Sequence, residues 1–167
     1  MQKNGSSPFF NTRTMTYMSM LIALYACLSL LTLYITQQLR FNFTFIPVAI
    51  ASILFGPLGG GLTGALGDIL GWFIAHPGAY FPGLTISGFV TGIIYGIFLY
   101  KKITITRVIF AAVTIAIVVE LLLNTLWLSI MCGNAFIVLL GQRLIKVYIF
   151  IPMQILFIFP MKFLIKR

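Results

Sequence analysis

Asp68 and Glu120 are the only acidic residues of the chain, and both lie inside long apolar stretches. A carboxylate in hydrocarbon is costly, so each must face a protein interior, a water-filled cavity or a ligand. Asp68 follows a glycine-rich run and precedes Trp72 by one helical turn, which favours ligand binding over a structural hydrogen bond. For Glu120, a role in a pocket and the capping of a helix break are equally open.

Three basic residues, Arg40, Arg143 and Lys146, are candidates for binding an anion. Arg143 and Lys146 are three residues apart, so they share a face if their segment is helical. The planar fork of an arginine donates two parallel hydrogen bonds to a carboxylate. The pattern favours a pocket for a carboxylate or phosphate group, although snorkelling to lipid headgroups accounts equally well for Lys146.

Further side chains could line such a pocket. Asn124 and Trp127 share a face on the segment that carries Glu120, and the loop that begins at His76 contains Tyr80 and Phe81. These residues predict a polar and aromatic cavity wall. No cluster of His, Cys and Asp accompanies the single histidine, so we predict no metal site.

The glycines predict helix packing rather than nucleotide binding. Gly59, Gly61 and Gly64 match a dinucleotide fingerprint, but that motif needs a preceding strand and a soluble βαβ unit. Instead the glycines recur at helical spacing, which gives a smooth face for a neighbouring helix. The two rows are Gly60, Gly64, Gly67 and Gly71, and Gly88, Gly92 and Gly96.

The elements that hold these residues are membrane helices. The chain is 60% hydrophobic and 8% charged, with a mean hydropathy of +1.09, which excludes a soluble globular domain. The net charge of +9 would suggest nucleic acid in a soluble protein. Here the basic residues flank apolar segments, so we expect a membrane partner and no nucleic acid.

The sequence predicts an all-α integral membrane protein with six transmembrane helices in one domain, residues 1–167, of which 1–12 form a mobile N-terminal tail. A spanning helix needs about 20 residues, and the second segment is short for a full crossing. The segments are about Thr14–Thr36, Phe43–Phe55, Leu58–Ala75, Tyr80–Tyr100, Arg107–Met131 and Phe136–Phe163.

The distribution of cations predicts the orientation. Six crossings put eight of the 11 basic residues on the side of both termini: Lys3, Arg13, Lys101, Lys102, Arg107, Lys162, Lys166 and Arg167. The other side collects Arg40, Arg143 and Lys146. The positive-inside rule therefore makes both termini cytoplasmic.

Four stretches resemble a known family: FIPVAIASILFGPLGGGLTGALGD at 45–68, GAYFPGLTISGFVTGIIYGIFLY at 78–100, LLLNTLWLS at 121–129 and QRLIK at 142–146. The chain resembles the substrate-binding S components of energy-coupling factor (ECF) vitamin transporters, most closely the folate-specific type. It departs from the family's helix-one motif, where Ser19 with Ala23 stands in for the usual alanines.

The resemblance implies a multi-pass protein of the bacterial cell membrane that binds a vitamin from outside and topples to release it. It implies no enzymatic activity and no cofactor. ATP would be hydrolysed by two cytoplasmic ATPases, joined through a transmembrane coupling protein that contacts Ser19, Ala23 and Cys27. The loop near Gln37 to Thr44 would act as a lid.

For folate, the resemblance and the residues suggest matching roles. Asp68 can accept both adjacent pterin donors, with Asn124 at the pterin edge. The rings can stack on aromatic walls, and the glutamate tail needs cations. The aromatic candidates are Trp72, Tyr80, Phe81 and Trp127, and the cationic ones Arg40, Arg143 and Lys146.

Other functions remain open from the sequence. The ligand of an S component could be pantothenate, thiamin or riboflavin. A membrane enzyme or a flippase for an anionic lipid is a second class, but the sequence offers no nucleophile with a base and no metal cluster. A purely structural subunit would not explain two acids inside apolar segments.

Overall fold

The computed structural model describes residues 12–36, 39–75, 80–100, 103–132 and 136–160. Within these ranges, the side chains of 33–41, 132, 136–140, 142, 143 and 145 are not described. The predicted mobile tail, apart from Thr12, and six of the cations counted for orientation lie outside the described residues: Lys3, Lys101, Lys102, Lys162, Lys166 and Arg167.

The described chain is helical apart from one short hairpin. In order, the elements are α1 (Thr12–Leu30), β1 (Leu33–Thr36), β2 (Leu39–Phe41), α2 (Phe45–Ala75), α3 (Pro82–Leu99), α4 (Ile105–Thr114), the π-helix π1 (Ile115–Leu123), α5 (Asn124–Cys132) and α6 (Phe136–Ile158). The prediction of a helical protein is thus confirmed. α3 begins at Pro82, where the missing N–H costs no helical hydrogen bond.

The hairpin between α1 and α2 was not predicted. β1 and β2 pair antiparallel, with Tyr34 opposite Arg40. The first predicted helix was therefore too long, because α1 ends at Leu30 and not at Thr36. Tyr34, Ile35 and Thr36 are β-branched or aromatic residues, which suit an extended strand better than a helix end.

The second and third predicted segments form the two arms of α2. Gly56 interrupts the helix with φ 79° and ψ −169°, a left-handed conformation that glycine tolerates. A Cβ built on Gly60 would lie 2.8 Å from Cβ of Ser52, eight residues earlier, whereas a straight helix would separate them by about 12 Å. The chain therefore turns back sharply at Gly56 and Pro57.

The fifth predicted segment is one continuous helical stretch with an altered centre. The nine residues of π1 separate α4 from α5, and Glu120 lies within them. The hydroxyl of Thr125 donates to the backbone oxygen of Glu120 at 3.2 Å. Such π segments inside helices are frequent at functional sites.

Among the described residues, three helical stretches are by length and composition apolar enough to cross a membrane, namely Phe45–Ala75, Pro82–Leu99 and Ile105–Met131, and Lys146–Ile158 is a shorter apolar helix. A stripe of exposed leucines runs along the second arm of α2 at four-residue spacing, which suits contact with lipid. It consists of Leu58, Leu62, Leu66 and Leu70.

The glycine rows pack helices as predicted, but against two different neighbours. A Cβ on Gly64 would meet the carbonyl oxygen of Gly88, and one on Gly92 would meet the backbone of Gly60, so α2 and α3 touch backbone to backbone. Further along α2, a Cβ on Gly67 would lie 2.6 Å from the ring of Tyr25 in α1. α1, α2 and α3 thereby form a tight group.

The hydrophobic core lies between this group and the helices that follow. Tyr95 and Leu99 of α3 are fully buried, as are Val108 of α4 and Ile158 of α6. These side chains belong to one cluster that extends to Phe150. The core fixes the positions of π1 and α6 relative to α2, and the candidate site is a cavity among these elements.

Candidate ligand-binding cavity

A cavity of about 140 Å³ lies among α1, α2, α3, π1, α5 and α6. Its wall combines aromatic rings with polar side chains, a typical composition for a small-molecule site. The lining residues are Tyr25, Ser29, Asn42, Thr44, Phe45, Val48, Asp68, Gly71, Trp72, Tyr80, Phe81, Leu84, Ser87, Gly88, Thr91, Ile115, Val119, Glu120, Asn124, Lys146, Phe150 and Gln154. Asn42 and Thr44 belong to the predicted lid.

Asp68 is half-buried in this wall and accepts hydrogen bonds from two neighbouring helices. The hydroxyl of Thr85 donates to Oδ2 at 2.9 Å, and that of Tyr25 donates to Oδ1 at 3.5 Å. The hydroxyls of Tyr80 and Thr85 are 2.6 Å apart. Because the single Thr85 proton points at the carboxylate, Tyr80 donates to Thr85, and the chain of bonds orients Asp68.

Aromatic rings line the same cavity as this carboxylate. Trp72 and Tyr80 meet edge to face with centroids 5.5 Å apart, and Phe81 packs against Trp127 at 5.7 Å. Trp72, Tyr80 and Phe81 line the cavity, whereas Trp127 does not. Trp127 lies behind Phe81, and its buried indole Nε1 has no hydrogen-bond partner among the described residues.

A buried ion pair also lines the cavity. Nζ of Lys146 lies 2.8 Å from Oε2 of Glu120, and the two side chains are 10% and 12% exposed. The same ammonium is 5.5 Å from the ring centroid of Phe150. Lys146 therefore enters the cavity wall already neutralised, so its role as a cation for a ligand stays a prediction.

Two amide side chains reach the cavity with unpaired oxygens. Oδ1 of Asn124 and Oε1 of Gln154 are buried and have no hydrogen-bond partner in the described part of the chain. Asn124 was predicted, but Gln154 was not. The signal for Gln154 was available: Lys146, Phe150 and Gln154 follow one another at four-residue spacing, which puts them on one face of α6.

The remaining predicted residues are less completely described. The backbone of Arg40 lies in β2 and that of Arg143 in α6, but their side chains are among those not described. Of the residues predicted to bind substrate, the cavity brings together Asp68, Trp72, Tyr80, Phe81, Asn124 and Lys146. Sequence reasoning missed Tyr25 and Thr85, the donors to Asp68.

α1 divides into two faces. Leu21, Tyr25, Ala26 and Ser29 are buried, whereas Ser19, Ala23 and Cys27, the predicted partner contacts, are exposed. Leu21, Tyr25 and Ser29 are offset by two positions from Ser19, Ala23 and Cys27, which is about 200° around the helix, so the two sets lie on opposite sides. The predicted contact surface is thus accessible in the isolated chain.

Comparison with known proteins identifies the family. The family model for the substrate-specific component of ECF transporters matches residues 13–166. The folate transporter FolT of Clostridium novyi (strain NT) is 42% identical over 146 residues, 87% of this chain and 85% of that protein. FolT of Leuconostoc mesenteroides is 32% identical over 155 residues, 89% of this chain and 83% of that one.

Solved structures agree with this assignment. The crystal structure of FolT bound with folic acid superposes with a TM-score of 0.86 and is 36% identical, covering 94% of this chain and 96% of that one. An S component of a bacterial ECF transporter shares the fold at a TM-score of 0.63 and 23% identity, covering 92% and 97% of the two chains. The chain therefore belongs to the family of substrate-specific components of ECF transporters.

Proposed function

We propose that the chain binds folate at the outer face of a bacterial cell membrane and is the subunit through which an ECF transporter takes folate up. The similarity to FolT of Clostridium novyi and to FolT bound with folic acid supports this ligand. In the same proposal, a transmembrane coupling protein docks on the exposed face of α1, and two cytoplasmic ATPases hydrolyse the ATP. The chain itself uses no cofactor.

The observation that carries the proposal is an oriented carboxylate among aromatic rings. Asp68 is fixed by Thr85 and Tyr25, yet an ionised carboxylate can accept about four hydrogen bonds. The two oxygens of this carboxylate match the paired N–H donors of a pterin. Trp72, Tyr80 and Phe81 offer flat apolar surface for the rings.

The charge of the cavity suggests how the ligand is oriented. Among the described lining residues, Asp68 and Glu120 are acidic and Lys146 is basic, so these side chains sum to −1. Such a wall suits the donor-rich pterin better than the anionic glutamate tail. We therefore assign the tail to the cations Arg40 and Arg143, near the hairpin and the start of α6.

The sharp turn at Gly56 supports the proposal of six crossings with both termini in the cytoplasm. Because the arms of α2 turn back on each other, they act as two separate segments. The first arm, from Phe45 to Phe55, is about 16 Å long, about half of the bilayer core of about 30 Å, so it is the short one of the six segments.

The direct test is equilibrium binding of radiolabelled folic acid to the detergent-solubilised protein. We expect saturable binding of one folate per chain that excess pantothenate, thiamin and riboflavin do not displace. Displacement by one of these vitamins would assign the protein to that ligand instead. Folate-independent hydrolysis of a lipid, or lipid scrambling in vesicles, would point to the enzyme or flippase.

The substitution Asp68→Asn should weaken folate binding roughly ten- to a hundredfold. The new amide has one acceptor oxygen, so it can accept from only one of the two pterin N–H groups. The second N–H group then faces the NH₂ donor and has no acceptor. A pterin without its glutamate tail should lose affinity by the same factor. Ser19→Ala, on the exposed face of α1, serves as the control. An unchanged folate affinity would remove Asp68 from the site.

Unlike Asp68→Asn, the substitution Arg143→Ala should affect the binding of folate but not that of a tail-less pterin. Loss of a charge-assisted pair with a carboxylate should weaken folate roughly tenfold or more, whereas a tail-less pterin should bind with unaltered affinity. Competition binding with the two ligands measures the difference. Equal losses for both ligands would count against a contact between Arg143 and the glutamate tail.

A further inference from the structure

Gln154 is a buried polar residue that no described part of the protein satisfies. It is 1% exposed, and its Oε1 has no hydrogen-bond partner among the described residues. A buried acceptor without a partner destabilises a protein, so such groups in folded structures usually mark a missing partner. Gln154 lines the cavity, so a ligand held in the cavity is the candidate for this partner.

The surroundings of Gln154 are apolar and aromatic. It lies two turns beyond Lys146 on the same face of α6, about 12 Å along the helix axis. Phe150, one turn before Gln154 on α6, packs edge to face against Phe45 with centroids 5.5 Å apart, and both rings line the cavity, as does Ile115 of π1. The cavity thus offers one amide next to two rings, an arrangement that fits a flat heterocycle with a polar edge.

We propose that Gln154 is a specificity-determining residue that hydrogen-bonds the polar edge of the heteroaromatic ring of the ligand. This inference rests on the proposed function. A primary amide carries an acceptor and two donors in one plane, so it can pair with a ring edge on which a carbonyl and an N–H stand side by side. The pterin ring of folate has such an edge. Gln154 and Asp68 then contact different edges of one ring system.

The variant Gln154→Met tests this pairing with little change in shape, because methionine is unbranched, similar in length and unable to donate. We expect folic acid to bind roughly ten- to a hundredfold more weakly. A tail-less pterin should lose affinity by the same factor, unlike the pattern expected for Arg143→Ala. Thr63→Val is the matched control, because Thr63 is also buried, with a hydroxyl that has no partner among the described residues, but lies outside the cavity lining.

Thermal denaturation of the same variants separates recognition from a structural role. Without ligand, Gln154→Met should melt at the wild-type temperature or above, since an unsatisfied polar atom has been removed. With saturating folate, its upward shift should be smaller than that of the wild type. A lower melting temperature without ligand, together with an unchanged folate affinity, would overturn the inference.

The outcomes distinguish this inference from the proposed function. If the wild type and Gln154→Met bind folate equally well, the role of Gln154 is refuted but the proposed function is not. If Gln154→Met loses affinity for folate but not for the tail-less pterin, the role of Gln154 in binding the ring is refuted as well. If the wild type binds neither folate nor the tail-less pterin, both the proposed function and the contact between Gln154 and a pterin are refuted.

Discussion

Replacing Glu120 with alanine should lower the free energy of unfolding by about 3–5 kcal/mol, because it leaves the ammonium of Lys146 buried without its counter-ion. The pair is short, at 2.8 Å, and both side chains are nearly excluded from solvent. It joins π1 to α6, so its loss should also loosen the cavity. Denaturation of the solubilised protein, followed by tryptophan fluorescence, measures the effect.

A double variant provides the control for this prediction. Replacing a whole buried ion pair with apolar residues of similar volume is often neutral or stabilising. Glu120→Leu combined with Lys146→Met should therefore restore most of the stability that either single change removes. If the double variant is as unstable as Glu120→Ala, the loss comes from packing around π1 rather than from an unpaired charge.

The substitution Gly92→Ala should destabilise the protein by roughly 3 kcal/mol, at the upper end of the range for overpacking. The new methyl group would collide with the backbone of Gly60, and a backbone cannot rotate away as a side chain can. Helix propensity alone would favour alanine by about 1 kcal/mol, so the sign of the result shows which effect dominates. The measurement is again chemical or thermal denaturation in detergent.

Gly141 supplies a matched control for Gly92. A Cβ added at Gly141 in α6 would meet no atom of the described residues within 4 Å, so Gly141→Ala should be neutral or stabilising by up to about 1 kcal/mol. Equal destabilisation by both changes would contradict the close packing of α2 against α3.

Much of the helical architecture follows from the sequence, because apolar length and glycine spacing are local properties. The breaks at Gly56 and near His76 and the glycine rows could be predicted in this way. The hairpin after α1 could not, since its strands lie within a stretch that reads as helix end and polar loop. π1 was also missed, because residues 115–123 contain no glycine or proline and their hydrogen-bond pattern depends on neighbouring helices.

The sequence allowed the individual residues of the site to be predicted, but not which of them pair with one another. Residue type and position in the chain predicted a role in the site for five residues that the structure places in one cavity: Asp68, Trp72, Tyr80, Phe81 and Asn124. The pairing of Lys146 with Glu120 joins residues 26 positions apart and depends on how two helices pack. The same is true of the donation from Tyr25 to Asp68 across 43 positions.

The hydrogen bonds of π1 affect how this chain should be compared with distant transporters. They run from residue i to i+5 rather than i+4, so each of its turns holds more residues than an α-helical turn. A helical wheel that advances about 100° per residue from Val108 to Trp127 therefore falls out of phase along the way. The residues that share a face before residue 115 therefore do not continue onto the same face after residue 123. An alignment based on helical periodicity must treat the two parts separately.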